Sequence, residues 1–286
     1  MISKYSSSAS PREWASIARS SFGIKQDQVF VDVEELLTEI LTVDVRRAVL
    51  PSLAGLLLLR MPRLEGTVLI EERDSWERQR FTLAHELKHI LVDVTAGLIQ
   101  IHNGILIHPD TAETLGYGMG STAIGIEATA DQFAGEFLMA ATPFKKRLKG
   151  APVSIAAIAG VAAEFRVSIT AAVTRWVSCA EGRCVLIEIR RGKLYRFVPS
   201  SQFAAQSTSE KWLEVGADIS PRTRVGRRTA GELEFELDAP GPTAISSREW
   251  MRRSTHKGNL MEDVLDVPQS GRLYSLIWYP EDFKSA

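Results

Sequence analysis

A chain of 286 residues has room for one large domain or two ordinary ones. Its 45% apolar and 24% charged residues exclude an intrinsically disordered chain, and a net charge of −1 excludes a polyanion binder that works by global charge. Two cysteines, Cys179 and Cys184, are too few for a disulfide framework or a four-thiolate zinc site, and no apolar run approaches the ~20 residues of a membrane span. Met1 to Ser10 is Ser-rich and does not read as a secretory signal, so the expectation is a cytoplasmic protein with no membrane partner.

The first helix is expected from Pro11, with proline in its opening turn. Val33, Leu36, Leu37 and Ile40 share one face of a second. The period then changes. Val43 and Val45 alternate with polar neighbours, and Leu56–Leu59 and Thr67–Ile70 are short apolar runs bounded by Pro and Gly, which predicts two or three antiparallel strands. Asp74 with Glu77 three residues on has the form of a capping box. The helix it opens is expected to reach about Val92, with Leu83, Leu87, Ile90, Leu91 and Val94 on its buried side. Leu115–Gly120 is Gly-rich and predicts a loop beside the cleft. A long helix follows to about Ala141, and two more lie around Arg166-Val167-Ser168. Strand-like runs return at Cys184–Ile189, Leu194–Val198, Leu233–Leu237 and Leu273–Trp278. The expected fold is α+β, divided into residues 1–178 and a second α+β domain over 179–286.

The chemistry concentrates in His85-Glu86-Leu87-Lys88-His89. Residues four apart lie on one helix face, so His85 and His89 can bind one metal ion together. Glu86 is rotated by about 100° from His85 and can reach a water on that ion as general base without binding the metal. Zinc acidifies such a water and polarises a peptide carbonyl. A catalytic zinc needs a third protein ligand, and position 95, where a collagenase-like site has His, is Thr95. The downstream candidates are His102, His108, Asp110, Glu113, Glu127, Asp131 and Glu136. Glu127 lies in an alanine-rich helical segment that allows close helix approach. Asp131, one turn on, is placed to accept the second N–H of a ligating histidine.

Residues Arg78 to His89 resemble the active-site helix of the ImmA/IrrE-type metallopeptidases. Glu127 to Met139 resembles the second motif of that family, including its Leu-Met ending. The resemblance covers roughly residues 12 to 178. It implies a gluzincin-like metallopeptidase domain, with a small antiparallel sheet, an active-site helix and a Glu-donor helix. It also implies zinc held by His85, His89 and Glu127, with Glu86 as the catalytic base. Lys88 stands where the family usually has Gly, Ala140 where it has Pro and Asp131 where Asn is common. The substrate implied is a helix-turn-helix repressor, whose cleavage derepresses stress, mobile-element or anti-phage genes. The C-terminal domain is then expected to be a sensor, similar to a GAF-like domain.

Other features carry rival readings. Residues 161–176 look like a helix-turn-helix that exposes Thr170, Thr174 and Arg175, which supports the alternative of a DNA-binding regulator with a degenerate or structural zinc site. Arg222, Arg224, Arg227 and Arg228, and a second group of Arg248, Arg252, Arg253, His256 and Lys257 around Trp250, are basic runs that single-stranded nucleic acid could use as an activating signal. The competing reading is solvated loops. Tyr117 and His108 are candidates for a transition-state hydrogen-bond donor. Cys179 and Cys184 are candidates for redox sensing, against the reading of buried inert thiols.

Overall fold

The computed structural model describes residues 9–283 apart from 62, 64, 100–102, 104, 112–121, 208–212, 231–240, 252–257 and 269–270, and describes the backbone alone at 109–111 and 122–124. The predicted Gly-rich loop, the strand at Leu233–Leu237, and His102, Glu113, Tyr117, Arg252, Arg253, His256 and Lys257 lie outside the described residues. The chain divides into two compact units, Met1–Phe144 with Glu164–Ser168, and Lys145–Ala163 with Ile169–Ala286. No single helix among the described residues is long and apolar enough to cross a membrane.

In the first unit, Ser10 caps α1 (Pro11–Ser21) in a capping box with Glu13. A short helix α2 (Val33–Glu35) runs into a π turn at Leu36–Ile40. Strands β1 (Val43–Ala48), β2 (Leu53–Arg60), β3 (Glu65–Glu71) and β4 (Ile105–Thr111) form one sheet in the order β1-β3-β2-β4. This sheet is mixed, where an antiparallel one is expected from the sequence. β3 turns back beside β2 and inserts between it and β1, so β1 and β3 run parallel while β2 is antiparallel to both β3 and β4. Apolar alternation fixes which face of a strand is buried but does not name its neighbour.

Helix α3 (Trp76–Lys88) is capped by Ser75, whose hydroxyl accepts from the Arg78 N–H, one residue after the expected cap at Asp74. It continues into a π turn at His89–Asp93. Leu83, Leu87, Ile90, Leu91 and Val94 are buried as their spacing predicts. Arg80 anchors the helix. Its guanidinium donates to the carbonyls of Val31, Phe165 and Arg166 and lies over the rings of Phe30 and Trp76. Helix α4 (Thr122–Leu138) buries Ala130, Phe133, Ala134 and Phe137, and Arg19 of α1 donates to its Phe137 carbonyl. The small residues at 130 and 134 allow this helix to approach its neighbours closely.

In the second unit, α5 (Ala141–Leu148) supplies its last residues, and α6 (Ile155–Phe165) and α7 (Ile169–Cys179) meet at 109° across Arg166, which takes a positive φ of 50°. Strands β5 (Cys184–Arg190), β6 (Lys193–Pro199), β7 (Thr243–Ser246), β8 (Asn259–Val267) and β9 (Arg272–Trp278) make an antiparallel sheet ordered β6-β5-β9-β8-β7. Val185, Ile187, Ile189, Leu260 and Ile277 pack with Phe203 of α8 (Ser201–Ser207), Val225 of α9 (Arg224–Thr229) and Trp250 of α10 (Ser247–Trp250). Of the residues expected to face DNA, Arg175 is buried, and Thr170 and Thr174 are half-buried. The helix-turn-helix likeness therefore lies in backbone geometry more than in an exposed reading face.

Candidate metal centre

His85 on α3 and His89 at the start of the π turn follow each other by one helical turn and are buried at 2% and 0% exposure. Glu127, near the start of the described part of α4, meets them. The potential ligand atoms of these three residues all lie within 4.8 Å of one another, and they form the one such cluster found among the described residues. His85 Nε2 is 3.1 Å from Glu127 Oε2, and His89 Nε2 is 3.7 Å from Glu127 Oε1.

The outer nitrogens of the two rings are also held. His85 Nδ1 is 2.9 Å from Asp131 Oδ1, the role expected of Asp131. His89 Nδ1 is 2.6 Å from Asp93 Oδ2. A carboxylate accepts, so with a metal ion on Nε2 each ring would donate from Nδ1–H to its aspartate. The two Nε2 atoms then face each other at 3.0 Å beside a carboxylate. Two Nε2 atoms and a carboxylate converging in a buried site repel unless a proton or a metal ion lies among them. Two imidazoles and a carboxylate are the donor set that suits a divalent transition ion. The residues present fit a metal.

Protonation supports the same reading. Burial, the neighbouring His85 and His108, and Lys88 hold His89 well below the ordinary imidazole value, which leaves it neutral at pH 7. Burial pushes the Glu127 carboxyl up, but hydrogen bonds with His108 and His85 and the nearby His89 outweigh it, and the group stays ionised well below the usual carboxylate range. Lys88 is buried, and its Nζ lies 2.7 Å from both oxygens of Asp93. Burial lowers the Lys88 value and raises that of Asp93, and their mutual attraction opposes both shifts.

Glu86, at 0% exposure, lies on the same helix as the histidines, with its Oε1 over Gly55 of β2. His108, on β4, places Nε2 2.9 Å from Glu127 Oε1, with its ring 4.3 Å from that of His89. Of the other third-ligand candidates, Asp131 serves the outer nitrogen of His85, and Glu136 lies more than two turns along α4 from Glu127, outside the cluster. The side chain of Asp110 lies outside the described residues, as do His102 and Glu113. Asp93 is a functional neighbour that sequence reasoning missed. Its spacing of four from His89 was the available signal.

Residues 39–177 match the model of a peptidase family described as the IrrE N-terminal-like domain. These residues place the domain in the ImmA/IrrE family. The match spans α3 and its π turn as well as the whole of α4, so all three clustered residues lie inside the IrrE-like domain. A search of curated proteins finds no match. Among solved structures, a chain named as a Mycobacterium tuberculosis transcriptional regulator is similar over 96% of this chain and 76% of its own, with a TM-score of 0.58 at 12% sequence identity. That similarity concerns the fold.

Proposed function

We propose that this IrrE-like protein is a zinc endopeptidase in which His85, His89 and Glu127 hold the metal and Glu86 moves the protons. The observation that carries the reading is the convergence of two Nδ1-anchored imidazoles and one ionised carboxylate, with a buried glutamate next to the first histidine. Zinc bound there supplies Lewis acidity toward the scissile carbonyl and the attacking water. Glu86 accepts the proton of that water at a carboxylate oxygen and returns it to the amide nitrogen of the leaving segment. His108 is the described side chain at the site with an N–H to offer the oxygen of the scissile carbonyl. Among the described residues β4 is an edge strand, with Ile105 and Ile107 50% and 63% exposed, and an edge can bind an extended peptide through its main chain.

The proposed substrate is a helix-turn-helix repressor, carried over from the family resemblance, with the C-terminal residues as a sensor domain beginning near 179. A nucleic-acid signal has less support at the first basic run. Arg222, Arg224 and Arg228 face Glu249, Asp263 and Asp266 at 3.5, 4.0 and 2.8 Å. The rival reading of a DNA-binding regulator is favoured by the 109° helix pair and weakened by the burial of Arg175. A mobility-shift assay on promoter DNA separates the two.

Glu86→Gln tests the proposal. The variant is expected to keep one zinc per chain by metal analysis, keep its fold, and lose cleavage of a helix-turn-helix repressor substrate by about 10²–10⁴-fold. Equal cutting by the variant and the wild type removes Glu86 from the role of base. A wild-type protein that binds no zinc removes the metal from the mechanism.

A further inference from the structure

The metal centre leaves one buried charge unexplained. Lys88 is 1% exposed, among the largest fully buried side chains of the described residues, and it directly precedes His89. An isolated buried ammonium is strongly unfavourable, so its partners define what it does. Each of its three N–H donors has an acceptor: Asp93 Oδ1 at 2.7 Å, Asp93 Oδ2 at 2.7 Å and the Ile126 carbonyl at 3.2 Å. The ring of Trp14 lies 5.5 Å away and closes a further side.

These acceptors belong to the two halves of the candidate metal site. Asp93 holds Nδ1 of His89, and Ile126 immediately precedes Glu127. The π turn makes the first half geometrically accessible. Residues five apart lie about 140° from each other on an α-helix, whereas the wider turn at His89–Asp93 allows Lys88 and His89 to reach the same carboxylate. The bond to Ile126 then ties this turn to the backbone of α4 at the point where Glu127 leaves it.

We propose that Lys88 is a positioning residue, a buried ammonium that cross-links α3 to α4 and sets His89 and Glu127 at the separation a shared metal needs. This rests on the reading of His85, His89 and Glu127 as zinc ligands. Its rival is charge compensation alone, in which Lys88 only neutralises Asp93. The two differ in what happens once Asp93 has no charge to neutralise.

The experiment measures zinc affinity of the full-length protein by competition with a chromophoric chelator, together with the melting temperature of the metal-free protein. The variants are Lys88→Met, Asp93→Asn and the double variant. Lys88→Met is expected to bind zinc about 10–100-fold more weakly, the usual scale for losing a group that orients metal ligands. The double variant carries neither buried charge, which protects folding if the single change does not. It is expected to remain weaker than Asp93→Asn alone, because the link to Ile126 is gone. If the double variant binds zinc as tightly as Asp93→Asn, Lys88 acts only through the Asp93 charge and the cross-link is overturned. Wild-type affinity in Lys88→Met overturns it as well. In both cases a zinc-loaded wild type leaves the peptidase reading standing. A wild type that holds no zinc overturns both.

Discussion

At the scale of single residues, the sequence displays the metal-facing atoms better than the groups behind them. His85, Glu86 and His89 are legible because a helix places i and i+4 together, and Asp131 because it lies one turn beyond Glu127. Asp93 was signalled by its spacing of four from His89, but the destination of Lys88 is not legible. It depends on a π turn, for which the apolar run Ile90-Leu91-Val92 gives no signal. The thiols show the converse, with burial deciding chemistry that sequence left open. Cys184 is fully buried, and burial pushes its thiol up to about 12, so it stays protonated at any ordinary pH. Cys179 is half-buried. Iodoacetamide at pH 8 is therefore expected to label Cys179 alone in the native protein, and both cysteines after unfolding. Mass spectrometry of the tryptic peptides reads the result. Labelling of native Cys184 at the rate of Cys179 would contradict its burial.

At the scale of elements, α3 and the sheet are positioned by what is missing at Gly55. A Cβ there would lie 2.6 Å from Thr82 Cγ2 and 3.1 Å from Glu86 Oε1. The helix reaches the sheet because β2 has no side chain at that point. Gly55→Ala is expected to displace α3 and with it the Glu86 carboxylate, lowering cleavage by on the order of 10–10²-fold while metal content stays at the wild-type level. Gly135→Ala on α4, where a Cβ meets nothing within 4 Å, is the control and should leave the rate unchanged. A rate for Gly55→Ala equal to that of the control would show that the base tolerates the shift. The helices α1, α3, α4, α6 and α7 and the strands at 184–189, 194–198 and 273–278 are readable from the sequence, while the short helices α8, α9 and α10 are not. Nor is β8, because Glu262 and Asp263 interrupt its apolar pattern. Both acids are buried in service of the backbone. Glu262 accepts from the amides of Arg224 and Val225, and Asp263 accepts from that of Ile155.

At the scale of the whole molecule, the compact units group Lys145–Ala163 with Ile169 onward, and a functional division at 178 is a proposal. No linker separates the units at 144, which lies inside α5, with two residues between that helix and the end of α4 at Leu138. A fragment ending at 178 keeps the clustered His85, His89 and Glu127 but loses the Asp263 carboxylate, 2.7 Å from the first amide of α6. Losing such a helix-start acceptor costs about 0.5–2 kcal/mol. The expected outcome is a fragment that retains zinc in metal analysis and melts several degrees below the full chain by circular dichroism. An unchanged melting temperature would show that α6 does not depend on Asp263. The same bond has a consequence for how the protein is made. His85 and Glu127 are separated by 42 positions in the chain, Ile155 and Asp263 by 108. At roughly 5–20 residues per second, a ribosome delivers Asp263 about 5–20 s after Ile155. The metal pocket can close on the nascent chain during that interval, while α6 still waits for its cap.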